Sequence, residues 1–209
     1  MTAPYSILHF LVDGVCAFAM FGHFSFREKW YLNVLLYNFC AFALQMPLGV
    51  VLDVLNRRGS QQKYEPAFAF ATVGLILTFL GAVTHPVILG LGNALFHLGG
   101  GVGTICEDEA NGWQGRGLGV FVAPGAMGLY LGTQLAKGGI LMKLPQLMLI
   151  GVVVVFCLVW CHRMRTKQEK TTLEAVVPAM EKAEIGLLLG CLAVVILRSY
   201  IGLAVGFPW

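Results

Sequence analysis

Two pairs of polar residues interrupt long apolar runs of this sequence at a spacing that lets their side chains act together. His9 and Asp13 are four residues apart in one run, and Asn93 and His97 are four residues apart in another. On a helix this spacing puts both members of a pair on one face. Histidine titrates near neutral pH, and a neighbouring carboxylate can exchange protons with it. The residue types therefore indicate proton binding or transfer.

The composition places these polar residues inside a membrane. The 209-residue chain is 57% hydrophobic and only 12% charged, with a formal net charge of +3. Ordinary soluble proteins are about 45–50% apolar and about 25% charged. A soluble domain cannot bury so much apolar surface with so few charges to cover it. The composition therefore indicates an integral membrane protein and excludes a nucleic-acid-binding protein, a disordered chain and a soluble enzyme.

Arg198 is a third polar anomaly, because it lies inside an apolar run. A charge at the membrane centre costs at least about 2.5–3.5 kcal/mol on the insertion scale. Arg198 is therefore expected to meet an acid, a cavity or an anionic substrate, and Asp13 is one candidate partner.

Simpler roles stay open for the other polar residues. Asp13 can be held by a structural hydrogen bond, and His97 can be a neutral histidine that donates to a backbone carbonyl. A metal site built from His9, Asp13 and His97 is conceivable, but nothing in their spacing demands it. The expectation is that the protein uses no metal and no cofactor.

Seven apolar segments are long enough to cross a bilayer, which takes about 20 residues. They cover 5–24, 32–53, 66–83, 86–105, 117–136, 145–162 and 183–205. The sequence thus predicts an all-α polytopic membrane protein. A six-helix bundle is expected over 1–162, a cytoplasmic linker over 163–182 and a seventh transmembrane helix over 183–209.

The fourth segment is rich in glycine, with Gly90, Gly92, Gly99, Gly100, Gly101 and Gly103. Small residues let membrane helices approach each other closely. This density predicts a helix that is either unusually close-packed or deformable.

Basic residues in the loops predict the orientation, because cytoplasmic loops carry an excess of Lys and Arg. With a cytoplasmic N-terminus, the inside loops hold Arg57, Arg58, Lys63, Arg116, Arg163, Arg165, Lys167, Lys170 and Lys182. The outside loops then hold only Arg27, Lys29, Lys137 and Lys143. The chain is therefore expected in the plasma (inner) membrane with its N-terminus in the cytoplasm.

The loop expected after the second span resembles the signature G-x-x-x-D-R/K-x-G-R-R/K of the major facilitator superfamily. The matching residues are Gly49, Asp53, Arg57 and Arg58. Val54 replaces the basic position and Asn56 replaces the second glycine. The resemblance implies that the acid and the two arginines form a cytoplasmic gate.

The fifth span is similar to the antiporter signature of the same superfamily, G-x-x-x-G-P-x-x-G-G. The matching residues are Gly119, Pro124 and Gly128, whereas Ala123 and Met127 replace glycines. Two further segments, 93–97 and 198–209, resemble the fosmidomycin-resistance-like branch. The antiporter-like match favours proton-linked export.

The resemblance implies an architecture as well as an activity. Superfamily members have two six-helix halves, each built from 3+3 repeats and joined by a cytoplasmic linker, with the substrate cavity between the halves. This chain resembles the first half, the linker and helix seven. It is therefore expected to be a fragment, one half of a split transporter or a half-size protein that pairs with a second copy.

Taken together, these features predict a secondary active transporter, or its N-terminal half, that exports a small organic molecule in exchange for protons. Asp13 and His97 would handle protons, and Arg198 would meet anionic charge. The alternative is an assembly subunit that needs a partner chain and transports nothing itself. No enzymatic activity is expected, because the membrane segments lack paired carboxylates and a His-Glu-x-x-His motif.

Overall fold

The computed structural model describes residues 2–58, 64–139 and 144–168, and the regular secondary structure of these ranges is all helical. The helices are α1 (Thr2–Ala19), α2 (Trp30–Asn38), α3 (Gln45–Arg58), α4 (Tyr64–Val83), α5 (Pro86–Asn111), α6 (Arg116–Lys137) and α7 (Leu144–Gln168). A π-helical segment, Met20–Phe24, continues α1, and a second one, Phe39–Ala43, lies between α2 and α3.

Five apolar helical stretches of the described residues are long enough to cross a membrane. They are Thr2–Phe24, Trp30–Leu55, Pro66–Val83, Pro86–Asn111 and Arg116–Lys137. A shorter apolar stretch, Ile150–Met164, lies in α7. These helices confirm the all-α class and are consistent with a multi-pass membrane protein. The predicted seventh span and most of the predicted linker lie outside the described residues, and α7 itself continues into the linker as far as Gln168.

Two closely packed helix pairs, α4 with α5 and α1 with α6, form most of the interior, and α1 also contacts α5. Glycines at the contact surfaces allow the helices of both pairs to approach closely, because a larger side chain at these positions would collide with the backbone of the partner helix. A Cβ on Gly92 or Gly99 of α5 would collide with backbone atoms of α4, and one on Gly128 or Gly132 of α6 with carbonyls of α1. The glycines of the fourth predicted span thus pack against a neighbouring helix.

The start of α1, the end of α5 and the start of α6 lie at one face of the bundle. The Thr2 hydroxyl donates to Glu107 Oε2 at 2.6 Å. The buried Asp108 accepts from the backbone N–H groups of Gly117 and Leu118, at 3.1 and 3.0 Å. These groups belong to the first turn of α6, so α5 supplies the N-terminal cap that α6 lacks in its own sequence.

Replacing Asp108 with alanine is expected to destabilise the protein by about 0.5–2 kcal/mol, the usual cost of losing such a cap. The two N–H groups would then be left without their acceptor. Thermal unfolding of the detergent-purified chain measures the loss, and Glu109→Ala is the control because Glu109 is exposed on the next position. Equal unfolding temperatures for the two variants would refute this role of Asp108.

Candidate functional site

The two polar pairs of the sequence meet in one cluster between α1 and α5. His9 Nε2 lies 3.2 Å from Asp13 Oδ2, and His97 Nε2 lies 3.6 Å from Asp13 Oδ1. The Asn93 amide donates to the same Oδ1 at 3.4 Å. One carboxylate thus presents one oxygen to each histidine. We call His9, Asp13, Asn93 and His97 the polar cluster.

Backbone carbonyls fix the orientation and the tautomer of both histidine rings. His9 Nδ1 lies 2.8 Å from the carbonyl oxygen of Phe121 in α6, and His97 Nδ1 lies 2.8 Å from that of Asn93. A carbonyl oxygen can only accept, so each Nδ1 carries a hydrogen and donates it. When a ring is neutral, its Nε2 therefore carries a lone pair and no hydrogen. Both Nε2 atoms face Asp13.

A proton or another cation would convert the contacts between these lone pairs into bonds. Two neutral rings and an ionised carboxylate would place only lone pairs against one another across 3.2 and 3.6 Å. A proton on Asp13 or on either Nε2 turns one of these contacts into a hydrogen bond. The geometry therefore accommodates a proton or another cation beside the partly buried Asp13.

The cluster lies near the middle of its helices and is open on one side. The His9 side chain is only 5% exposed, whereas Asp13 and His97 are 18% and 24% exposed. His9 is enclosed by aromatic rings, with Phe121 stacked on it at 4.5 Å between ring centroids. Asp13 and His97 are therefore more accessible from outside the bundle than His9.

Helix α6 closes the other side of the cluster, and two residues of its antiporter-like segment explain how. A Cβ on Gly125 would lie 2.5 Å from His9 Nε2 and 2.7 Å from Asp13 Oδ2, so only glycine leaves room for these groups. Pro124 has no N–H, which removes one backbone hydrogen bond from the helix beside the Phe121 carbonyl. Gly125 therefore lets α6 approach α1 closely enough for His9 Nδ1 to donate to the Phe121 carbonyl.

The sequence did not predict three contacts of the polar cluster, which involve Gly125, the Phe121 carbonyl and Cys16. Gly125 falls on an unspecified position of the antiporter-like signature, and the Phe121 carbonyl is a backbone group without any signature of its own. Cys16 accepts from Asn93 Nδ2 at 3.5 Å, and its thiol also interacts with Tyr37. Its position three residues after Asp13, on the same face of α1, was the available signal.

The gate-like segment is helical, which corrects the expectation of a loop. Helix α3 continues through Arg58, because no proline or glycine interrupts it between Gly49 and Gly59. Gly49 lies beside Leu98 of α5, and Asp53 is exposed. The side chains of Arg57 and Arg58 lie outside the described residues, as does Arg198. Their predicted roles stay predictions.

The three matched residues of the antiporter-like segment occupy different surroundings. Gly119 is exposed with nothing near it, Pro124 lies within α6, and Gly128 packs on the Phe10 backbone of α1. Gly128 therefore helps to hold α6 against the helix that carries His9 and Asp13.

The polar cluster also has the composition of a metal site. His9, Asp13 and His97 each offer one ligand atom, and these atoms lie within 4.8 Å of one another. Two imidazoles and one carboxylate form a ligand set that transition metals accept.

Comparison of the chain with protein-family models, with curated proteins and with solved structures finds no match.

Proposed function

We propose that this chain is a secondary active transporter, or the N-terminal half of one, which exports a small organic molecule in exchange for protons. The observation that carries the proposal is the polar cluster, in which one carboxylate lies between two oriented histidines within an apolar helical bundle. Ionisable groups inside a membrane are costly to keep, so their presence favours a functional role such as a proton relay or a substrate pathway.

The proposed cycle uses the unequal exposure of the cluster. Asp13 and His97 form the accessible edge, where a proton or a substrate arrives, while His9 is the buried member that keeps Asp13 oriented. A proton on the cluster satisfies the facing lone pairs, and its departure leaves negative charge that another group must balance. Binding of substrate and binding of a proton can therefore be linked through one carboxylate.

We assign the chain to the major facilitator superfamily, nearest to its fosmidomycin-resistance-like branch, as part of the same proposal. Gly49, Asp53, Arg57 and Arg58 would form the gate on the cytoplasmic face, with the N-terminus on that side of the plasma membrane. Arg198 would meet anionic charge on the substrate. A second half, or a second copy of the chain, would complete the cavity.

Two measurements in sequence test the proposal. Native mass spectrometry of the full chain in mild detergent identifies the transporting unit as a monomer, a homodimer or a complex with a second chain. That unit is then placed in liposomes that contain a pH-sensitive dye and an imposed pH gradient. The probe is a panel of small organic compounds that includes fosmidomycin. At least one compound is expected to drive proton flux above that of protein-free liposomes.

The alternative, an assembly subunit without transport, makes the opposite prediction. It gives no compound-dependent flux in any of the assemblies, and it tolerates substitution of Asp13 and His97 without loss of its partner complex. Absence of compound-dependent flux in every assembly would contradict the transporter proposal, whereas an intact partner complex is expected under both.

A further inference from the structure

We propose that His9, Asp13 and His97 bind one divalent transition-metal ion, of which Zn²⁺ is the best-suited example. The inference goes beyond the proposed function, because it concerns binding alone and holds whether or not the chain transports anything. It stands on the placement of three ligand atoms and on the tautomers of two histidines.

The distances between the ligand atoms fit a small metal ion. Zinc binds imidazole nitrogen and carboxylate oxygen at about 2.0–2.2 Å, so two ligands at a tetrahedral angle lie about 3.3 Å apart. His9 Nε2 lies 3.2 Å from Asp13 Oδ2, and His97 Nε2 lies 3.6 Å from the other oxygen of the same carboxylate, Oδ1. One ligand atom from each of the three residues lies within 4.8 Å of the others. We expect metal binding to draw the more widely separated of these atoms together around one ion.

The second nitrogen of each ring supports the same conclusion. A histidine that binds a metal usually donates its other N–H to a backbone carbonyl or a carboxylate, which orients the ring and raises the basicity of the binding nitrogen. Both rings already do so, His9 to the Phe121 carbonyl and His97 to the Asn93 carbonyl, each at 2.8 Å. Nε2, which faces Asp13 in both rings, is therefore the nitrogen whose lone pair can bind a metal.

The ligand set selects the class of metal. Imidazole nitrogens suit zinc, copper, iron and nickel, whereas calcium and magnesium prefer a shell of oxygen ligands. The partial exposure of Asp13 and His97 leaves a fourth position for water or for an anionic group of a ligand. A four-coordinate site with one open position is therefore expected.

Cobalt titration of the full chain tests the proposal. The chain is purified in detergent without a polyhistidine tag, treated with chelator and titrated with Co²⁺ at one fixed pH, because metal and protons compete for the same atoms. One equivalent is expected to bind with the strong visible absorption of four-coordinate cobalt, and Zn²⁺ is expected to displace it. Asp13→Asn and His97→Gln should each weaken binding at least about tenfold.

The exposed His23 supplies the matched control, since His23→Gln should leave the cobalt affinity unchanged. Unaltered affinity in His97→Gln, loss of binding in His23→Gln, or no four-coordinate absorption at all would overturn the proposal. X-ray absorption of the zinc-loaded natural sequence gives an answer that needs no variant. Two imidazoles among nitrogen and oxygen ligands support the site, whereas sulfur ligands from a cysteine refute it.

Discussion

Asp13→Asn is expected to lower compound-dependent proton flux to the level of protein-free liposomes while leaving the fold intact. An amide has the size of the carboxylate and its NH2 group can donate to one histidine Nε2, but it cannot take up and release a proton at accessible pH. Asp13 presents one oxygen to each histidine, and no second carboxylate among the described residues pairs with either ring. The measurement is dye-reported flux in liposomes, with size-exclusion profiles to check the fold.

Glu109→Gln is the matched control for this experiment, because it also turns an acid into an amide but at an exposed position at the end of α5. It should retain the flux of the natural sequence. His97→Ala should lose flux in parallel with Asp13→Asn, since His97 is the other accessible member of the polar cluster. Full flux in Asp13→Asn would exclude this carboxylate from coupling, whatever the chain transports.

The sequence predicted the two halves of the polar cluster, whereas their meeting in one site was only a possibility that nothing in the spacing demanded. Spacing of four residues put His9 beside Asp13 and Asn93 beside His97, and the structure has both contacts. The junction of the two pairs depends on how α1 packs against α5, eighty residues away along the chain. Helix packing of this kind is a tertiary property, and periodicity along one helix carries no information about it.

The groups that hold the histidines were harder to foresee. His9 is held by the backbone carbonyl of Phe121. Every residue has such a carbonyl, so the residue type does not indicate which one accepts a hydrogen bond. Only Pro124 and Gly125 leave a trace, since one removes a backbone hydrogen bond and the other leaves space for His9. Both lie in the antiporter-like segment, and the packing role of Gly125 depends on the neighbouring helix α1, which the sequence of α6 does not specify.

Helix boundaries show a second limit of the sequence. The predicted fourth span ended at residue 105, where the apolar run ends, but α5 continues to Asn111. Polar residues extend a helix beyond the membrane when its end is capped, and Gly112 ends α5 in the left-handed conformation that suits glycine. Similarly, α3 continues beyond its apolar stretch through Arg58, and no proline or glycine lies between Gly49 and Arg58. Hydropathy locates the membrane part of a helix, whereas capping residues decide where it stops.

The two outer glycines of the antiporter-like segment should respond to alanine in opposite ways. Gly128→Ala is expected to destabilise the protein by about 1–3 kcal/mol, the usual cost of overpacking a close interface. The new methyl group would collide with the Phe10 carbonyl of α1, which is backbone and cannot rotate away. Gly119→Ala meets no atom within 4 Å, and alanine favours a helix over glycine, so its stability should be unchanged or raised.

Thermal unfolding of the two variants in the same detergent measures this difference, and equal unfolding temperatures would contradict the packing that the structure assigns to Gly128.

The pair of variants also separates the packing role of the antiporter-like segment from a role in transport. Because Gly128 holds α6 against the helix that carries His9 and Asp13, Gly128→Ala should lose proton flux together with stability. A folded Gly119→Ala that loses flux would instead indicate that the antiporter-like segment acts in transport at a position with no packing role.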